Sequence, residues 1–150
     1  MAKSVIKGLD KLIKKFDKFG KDGEKVIAAT TEEAAKNIML EAIQRAPKDN
    51  GAAGLSGSIY EAKIGDLTHV IATSNPYAPY QEFGTGNFVD LKYLIDAGMP
   101  SSYALQFKGA GVKQVNLQPQ PFLYPSFVKG RKEYKKNLKA DLETLTKKYE

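Results

Sequence analysis

Apolar residues recur at helical spacing at both ends of the chain and alternate in its middle. Near the N-terminus, Val5, Leu9, Leu12, Ile13, Phe16 and Phe19 fall three or four positions apart with lysines between them. This spacing predicts an amphipathic helix over residues 4–19. Such a helix covers a core, with a membrane surface or a partner helix as the alternatives. Gly20 and Gly23 punctuate its end. A second helix is expected over 22–45, with Asp22 placed to cap it and an apolar stripe of Ile27, Ala34, Ala35, Ile38, Met39, Ala42 and Ile43. Pro47 stops it, because the residue before a proline is pushed out of the α region, and Asp49-Asn50-Gly51 is turn chemistry.

Alternation then replaces helical periodicity. Residues 57–65 and 68–75 read as two strands, with Tyr60, Ala62 and Ile64 on one face of the first and Ile59, Glu61 and Lys63 on the other. The short connection between them permits only an antiparallel hairpin. Pro76 to Phe83 predicts a short turn or helix that displays Tyr77, Tyr80 and Phe83, with Glu82 among them. Glu82 is either a surface carboxylate or a fixed acceptor for nearby backbone amides. Gly84 and Gly86 are expected to serve backbone conformation, at least one of them with positive φ. Residues 87–116 form an irregular excursion, too apolar for disorder yet broken by Gly98, Pro100, Gly109 and Gly111. Val112 to Leu117 is a candidate third strand. Pro119, Pro121 and Pro125 lead into a last helix over 125–147, whose stripe includes Phe127, Tyr134, Leu138, Leu142, Leu145 and Tyr149. Phe122 is expected to anchor the chain where it enters that helix. The fold class is therefore α+β: an antiparallel sheet of three to four strands packed by long helices, with an amphipathic N-terminal helix, in a single domain spanning residues 1–150.

The chain has 150 residues and a formal net charge of +6, with no cysteine. Disulfides, thiolate metal sites and cysteine nucleophiles are thereby excluded, which fits a reducing compartment. The positive balance raises direct nucleic-acid binding as an alternative, but the lysines lie mostly in the terminal helices and are interleaved with acids, as on solvated helix faces. No apolar run approaches the roughly 18 residues of a membrane span, and the first residues lack a signal peptide's apolar stretch.

No catalytic or cofactor motif is legible. Gly109-Ala110-Gly111 lacks the third glycine of a dinucleotide fingerprint, and no Lys-Ser/Thr pair follows Gly84-Thr85-Gly86. His69, the single histidine, has no metal-ligating or nucleophilic companion in sequence. No catalytic residue, cofactor or metal is assigned and no enzyme is expected. A carboxylate site around Glu82 is the weak rival, which a deep pocket there would revive.

Four segments in fixed order carry a resemblance. They are Ala46-Pro47-x-Asp49-x-Gly51; Gly54-Leu55-x-x-Ser58-Ile59; Tyr77-Ala78-x-Tyr80-x-Glu82-Phe83-Gly84-Thr85-Gly86; and Gln118-Pro119-Gln120-Pro121-Phe122-Leu123-x-Pro125. Over roughly residues 25–145 the chain resembles the tail-completion, or head–tail joining, proteins of tailed bacteriophages with long non-contractile tails. It departs in the extra Ala52 and Ala53, in Ser126 where alanine is common in the family, and in the 87–116 excursion. The resemblance implies a structural virion protein of the phage neck, made in the host cytoplasm, in a ring around the DNA channel. The ring would be six-fold to match a tail tube, or twelve-fold. Its neighbours would be the connector or stopper on one side and the tail terminator or tail tube on the other, with non-specific DNA contact in the channel and no membrane. The interface assigned at this stage is Tyr77, Tyr80, Glu82, Phe83 and Phe122.

Overall fold

The computed structural model describes residues 8–48, 54–109 and 116–150. Two long helices dominate it. The first, α1, runs from Leu9 to Arg45 without interruption, where the sequence suggested two helices divided at Gly20 and Gly23. A glycine inside a helix costs about 1 kcal/mol, too little to end a helix whose following turns pack on the last helix of the chain. Even a Cβ on Gly23 would only touch Leu145, at 3.9 Å. Asp22 is therefore mid-helix rather than a cap. It accepts a hydrogen bond from the Tyr149 hydroxyl at 2.7 Å and lies 3.4 Å from Lys148 Nζ.

The last helix, which we call α5, spans Leu123–Tyr149. It lies antiparallel to α1. Glu41 pairs with Lys129 at 2.9 Å, Thr31 Oγ1 meets the Tyr134 hydroxyl at 3.1 Å, and Thr30 Oγ1 donates to Asp141 at 2.7 Å. Small residues let the two backbones approach. A Cβ on Gly130 would sit 2.1 Å from Ile38 Cγ1, and Ser126 is fully buried.

Between these helices, β1 (Ile59–Gly65) and β2 (Thr68–Thr73) form the expected antiparallel hairpin, with Ile59 opposite Thr73, Ala62 opposite Val70, and a bulge between Lys63 and Gly65. Among the described residues the sheet has these two strands alone; the expected third and fourth are not found. Most of the candidate Val112–Leu117 strand lies outside the described residues, and Asn116 and Leu117 carry no strand. The following segment contains Pro119 and Pro121, which have no amide to donate to a ladder, and it makes isolated contacts instead.

Among the described residues three short α-helices follow the hairpin: α2 (Ala78–Phe83), α3 (Leu91–Asp96) and α4 (Ser101–Phe107). The described part of the 87–116 excursion holds the last two. Asp90 caps α3 by accepting from the amides of Lys92 and Tyr93. Leu94, Ala104, Phe107 and Val89 then form a cluster of their own, against which Phe83 and Tyr93 pack. No helix among the described residues is long and apolar enough to cross a membrane.

Candidate partner interface

The segment from Asn75 to Gly86 is built in three steps. Asn75 Oδ1 accepts from the Tyr77 amide at 2.8 Å, which closes the turn that starts α2, and Pro79 supplies a preset φ in the first helical turn. Six residues later the helix stops at Gly84, whose φ of 70° and ψ of −173° suit glycine alone. A Cβ there would lie 2.6 Å from the Leu117 carbonyl oxygen, and one on Gly86 would lie 2.2 Å from Asn116 Oδ1. Both glycines have positive φ and admit the neighbouring strand of chain. The 116–120 segment then clasps the 81–87 segment. Thr85 donates to the Leu117 carbonyl at 2.9 Å, the Leu117 amide donates to Thr85 Oγ1 at 3.0 Å, and the Gln120 amide donates to the Gln81 carbonyl at 2.7 Å.

Glu82 points inward and is 4% exposed. Its Oε2 accepts from the amides of Phe122 and Leu123 at 2.8 and 2.9 Å, and its Oε1 accepts from the Tyr124 amide at 3.0 Å and the Tyr93 hydroxyl at 3.3 Å. A helix start leaves four amides without intrahelical partners. In α5 these positions are Phe122, Leu123, Tyr124 and Pro125, and proline has no amide hydrogen. One carboxylate from α2 therefore satisfies every free donor at the start of α5 and places a negative charge at the positive end of its dipole. This is the fixed-acceptor reading of Glu82. It also explains why α5 begins at Leu123, two residues earlier than the sequence suggested. Burial, with the nearby Glu82 charge and hydrogen bond, pushes the Tyr93 hydroxyl well above the usual tyrosine range.

Glu82 also borders an open, mostly apolar groove of about 390 Å³ shared with Ile38, Ile71 and Phe127. Both of its oxygens are already engaged, so it has no free lone pair with which to take a proton from a bound molecule.

The five residues assigned from sequence divide. Tyr77 and Tyr80 are 70% and 47% exposed, while Phe83 is half-buried against Phe107 and Tyr93. Glu82 and Phe122, the latter 1% exposed, are interior to the chain's own fold. Phe122 does anchor the chain at the start of α5, in one core cluster with Ala42, Ala46, Leu55, Ile59 and Ala78. Each of the four motif segments supplies a residue to that cluster, so the motifs meet one another. The outward surface is a different set. Tyr80 and the exposed Tyr103 both rest on Phe107 with ring centroids 5.6 Å apart, extending the Tyr77–Tyr80 edge onto α4. Tyr103 was not assigned from sequence; its spacing of four from Phe107 on a helix was the available signal.

A protein-family model, HK97-gp10-like bacteriophage tail component, matches residues 10–84, the stretch holding α1, the hairpin and α2. No curated protein and no solved structure matches the chain.

Proposed function

The chain belongs to the HK97-gp10-like family of bacteriophage tail components, and from that premise we propose that it completes the upper end of the tail and joins it to the DNA-filled head. It does so as a subunit of a ring around the DNA channel, six-fold to match a tail tube. The observation that carries this reading is the exposed aromatic edge of Tyr77, Tyr80 and Tyr103, set on a rigid platform by the Glu82 carboxylate. Exposed aromatics on a pre-organised support are the usual anchors of protein interfaces. Phe83 belongs to this edge through its packing on Phe107, whereas Glu82 and Phe122 hold the edge in place from within. The neighbours above and below are the connector or stopper and the tail terminator or tube, and the protein works in the virion. Only heterologous contacts close into rings, so the symmetry of this chain in averaged particles is the deciding measurement. A six-fold or twelve-fold ring at the neck supports the reading; a two-fold dimer, or absence from particles, ends it.

A second observation favours contact with DNA. Arg131, Lys132, Lys135 and Lys136 are exposed on α5 and make no ion pair among the described residues. Facing a channel, they would neutralise phosphates without reading sequence, and the affinity would fall steeply with salt. A salt-insensitive, sequence-selective affinity would instead favour the reading of the chain as a nucleic-acid-binding protein.

A further inference from the structure

The outer edge of β2 is open. Opposed residues in an antiparallel ladder alternate between hydrogen-bonded and non-bonded pairs. The Ser74 amide donates to the Ser58 carbonyl at 3.1 Å, and the register sets Tyr60 opposite Ala72, Ala62 opposite Val70 and Lys63 opposite His69. The bonded pairs are therefore Ser58–Ser74, Tyr60–Ala72 and Ala62–Val70. His69 and Ile71 belong to the alternate pairs, so their N–H and C=O groups point away from β1. Among the described residues no second strand pairs with β2, and these four groups make no hydrogen bond.

The groove of about 390 Å³ runs along this edge. His69, Val70 and Ile71 all line it, and no residue of β1 does. Successive strand residues point to opposite faces, so a cavity touched by three in a row lies beside the backbone and not on one face. Its far wall is Ile38, Leu123 and Phe127. Sheet edges are ordinarily guarded by charges, prolines or bulges. β1 has such guards in Glu61, Lys63 and the bulge between Lys63 and Gly65. β2 reads Thr68-His69-Val70-Ile71-Ala72-Thr73, with no proline, lysine, arginine or acid. The His69 ring is buried against Glu61 and does not guard the edge.

We propose that β2 takes a third strand, roughly 5 residues long, from another protein of the tail. Backbone chemistry selects this occupant. Donors and acceptors repeated every second residue along an edge are matched by an extended backbone about 4.8 Å away. A docked helix has already used its own amides and carbonyls. The incoming side chains are uncharged: one set meets Ile38, Leu123 and Phe127, the other lies beside Val70, and the groove's one carboxylate, Glu82, is fully engaged. A second copy of this chain does not supply the strand. Its 116–120 segment is bonded to its own 81–87 segment, and its β1 edge is guarded. Its β2 edge is walled by its own Leu123 and Phe127, so two such edges hold each other apart.

The docking rests on the tail reading for the source of the strand and is tested in purified tails. Hydrogen exchange is followed residue by residue in the free chain and in tails dissolved after labelling. In the free chain the Val70 and Ala72 amides, bonded to β1, should exchange slowly, and those of His69 and Ile71 fast. In tails the second pair should slow by about a hundredfold or more. No slowing in tails that contain the chain overturns the docking, as does equal protection of both amides in the free chain. An ester at position 71, made with the α-hydroxy analogue of isoleucine, keeps the side chain and replaces the outward N–H by oxygen. Entry into tails per folded subunit should fall roughly three- to tenfold, the effect of one lost hydrogen bond; undiminished entry overturns strand pairing in favour of a partner that merely covers the edge. The chain has no cysteine, so Val70→Cys carries the only thiol. Labelled there with a maleimide–benzophenone and irradiated in tails, it should join to a tail protein of different sequence. A product of two copies of this chain overturns the assigned donor, and a chain absent from purified tails defeats the tail-joining reading and this donor together.

Discussion

Removing the Glu82 carboxylate tests whether one side chain holds the start of α5. In Glu82→Ala, the Phe122 amide loses its acceptor in a buried site, and the amides of Leu123 and Tyr124 lose theirs where water has partial access. A buried donor left unsatisfied costs about 1–3 kcal/mol. Loss of a carboxylate from a partly buried helix N-terminus costs up to ~2 kcal/mol more. Some of the exposed cost returns as water enters, which leaves an expected loss of about 3–5 kcal/mol out of the ~5–15 kcal/mol that holds a domain folded.

Glu82→Gln separates hydrogen bonding from packing, because it keeps the volume. Its remaining oxygen still accepts, but its NH2 group meets further donors where Oε2 had accepted two. The expected loss is about 2–3 kcal/mol. The assay is urea unfolding followed by helical circular dichroism, with unchanged m-values taken as the sign that the free energies are comparable. A Gln variant within about 0.5 kcal/mol of the parent would refute the argument, since a group that merely fills space would be replaced without cost by its isostere.

Phe122→Ala should cost about 3–5 kcal/mol in the same assay, because it empties the centre of the cluster shared by Ala42, Ala46, Leu55, Ile59 and Ala78. Gly130→Ala should cost about 1–3 kcal/mol by driving a methyl into Ile38, and adding Ile38→Ala should make the pair less destabilising than the sum of its parts. Tyr93 should keep its proton beyond the pH at which free tyrosine ionises, as read by phenolate absorbance. The unfolded chain then binds fewer protons than the folded one, so stability should be intact below about pH 10 and fall as pH rises above it. A Tyr93→Phe variant should lose that part of the slope.

The elements with strong periodicity were legible in the sequence. The helical stripes gave α5 and most of α1, and the short connection after Gly65 gave the hairpin. The division of α1 at Gly20 and Gly23 was misread because glycine is a weak local signal and the packing of α1 on α5 overrides it. Among the described residues no third or fourth strand is found: most of the Val112–Leu117 candidate lies outside them, and the segment beside Gly84 contains Pro119 and Pro121, which have no amide to donate to a ladder. The role of Glu82 was half legible. Phe122-Leu123-Tyr124-Pro125 opens a helix with no Ser, Thr, Asp or Asn to cap it, so an acceptor had to come from another part of the chain. Sequence alone could not say which carboxylate that was. The apolar outer face of the hairpin was visible as Tyr60, Ala62 and Ile64 on one side of a strand. That this side faces away from α1 follows from Ile59 and Ile71 on the opposite face, which pack with Ala42 and Ala46, and only tertiary placement reveals it.

The division between buried motifs and exposed aromatics gives the interface a checkable logic. The segments that carry the family resemblance converge in the core, where Ala46, Leu55, Ile59, Ala78 and Phe122 touch and Glu82 ties α2 to α5. Tyr77 and Tyr80 ride on the outside of that same short helix. Changes at Glu82 or Phe122 should therefore reduce assembly only as far as they reduce stability, because they act by loosening the platform. Tyr77→Ala removes an exposed ring that holds little of the fold and should reduce incorporation into tails while leaving unfolding nearly unchanged; Tyr80→Ala also gives up the ring contact with Phe107, worth about 0.5–1.5 kcal/mol, and should reduce incorporation by more than that loss of stability accounts for. Two variables, denaturation free energy and incorporation per folded subunit, thus separate platform from contact. If the tyrosine variants lost stability and incorporation in proportion, the aromatic edge would be part of the fold, and the interface would have to lie elsewhere.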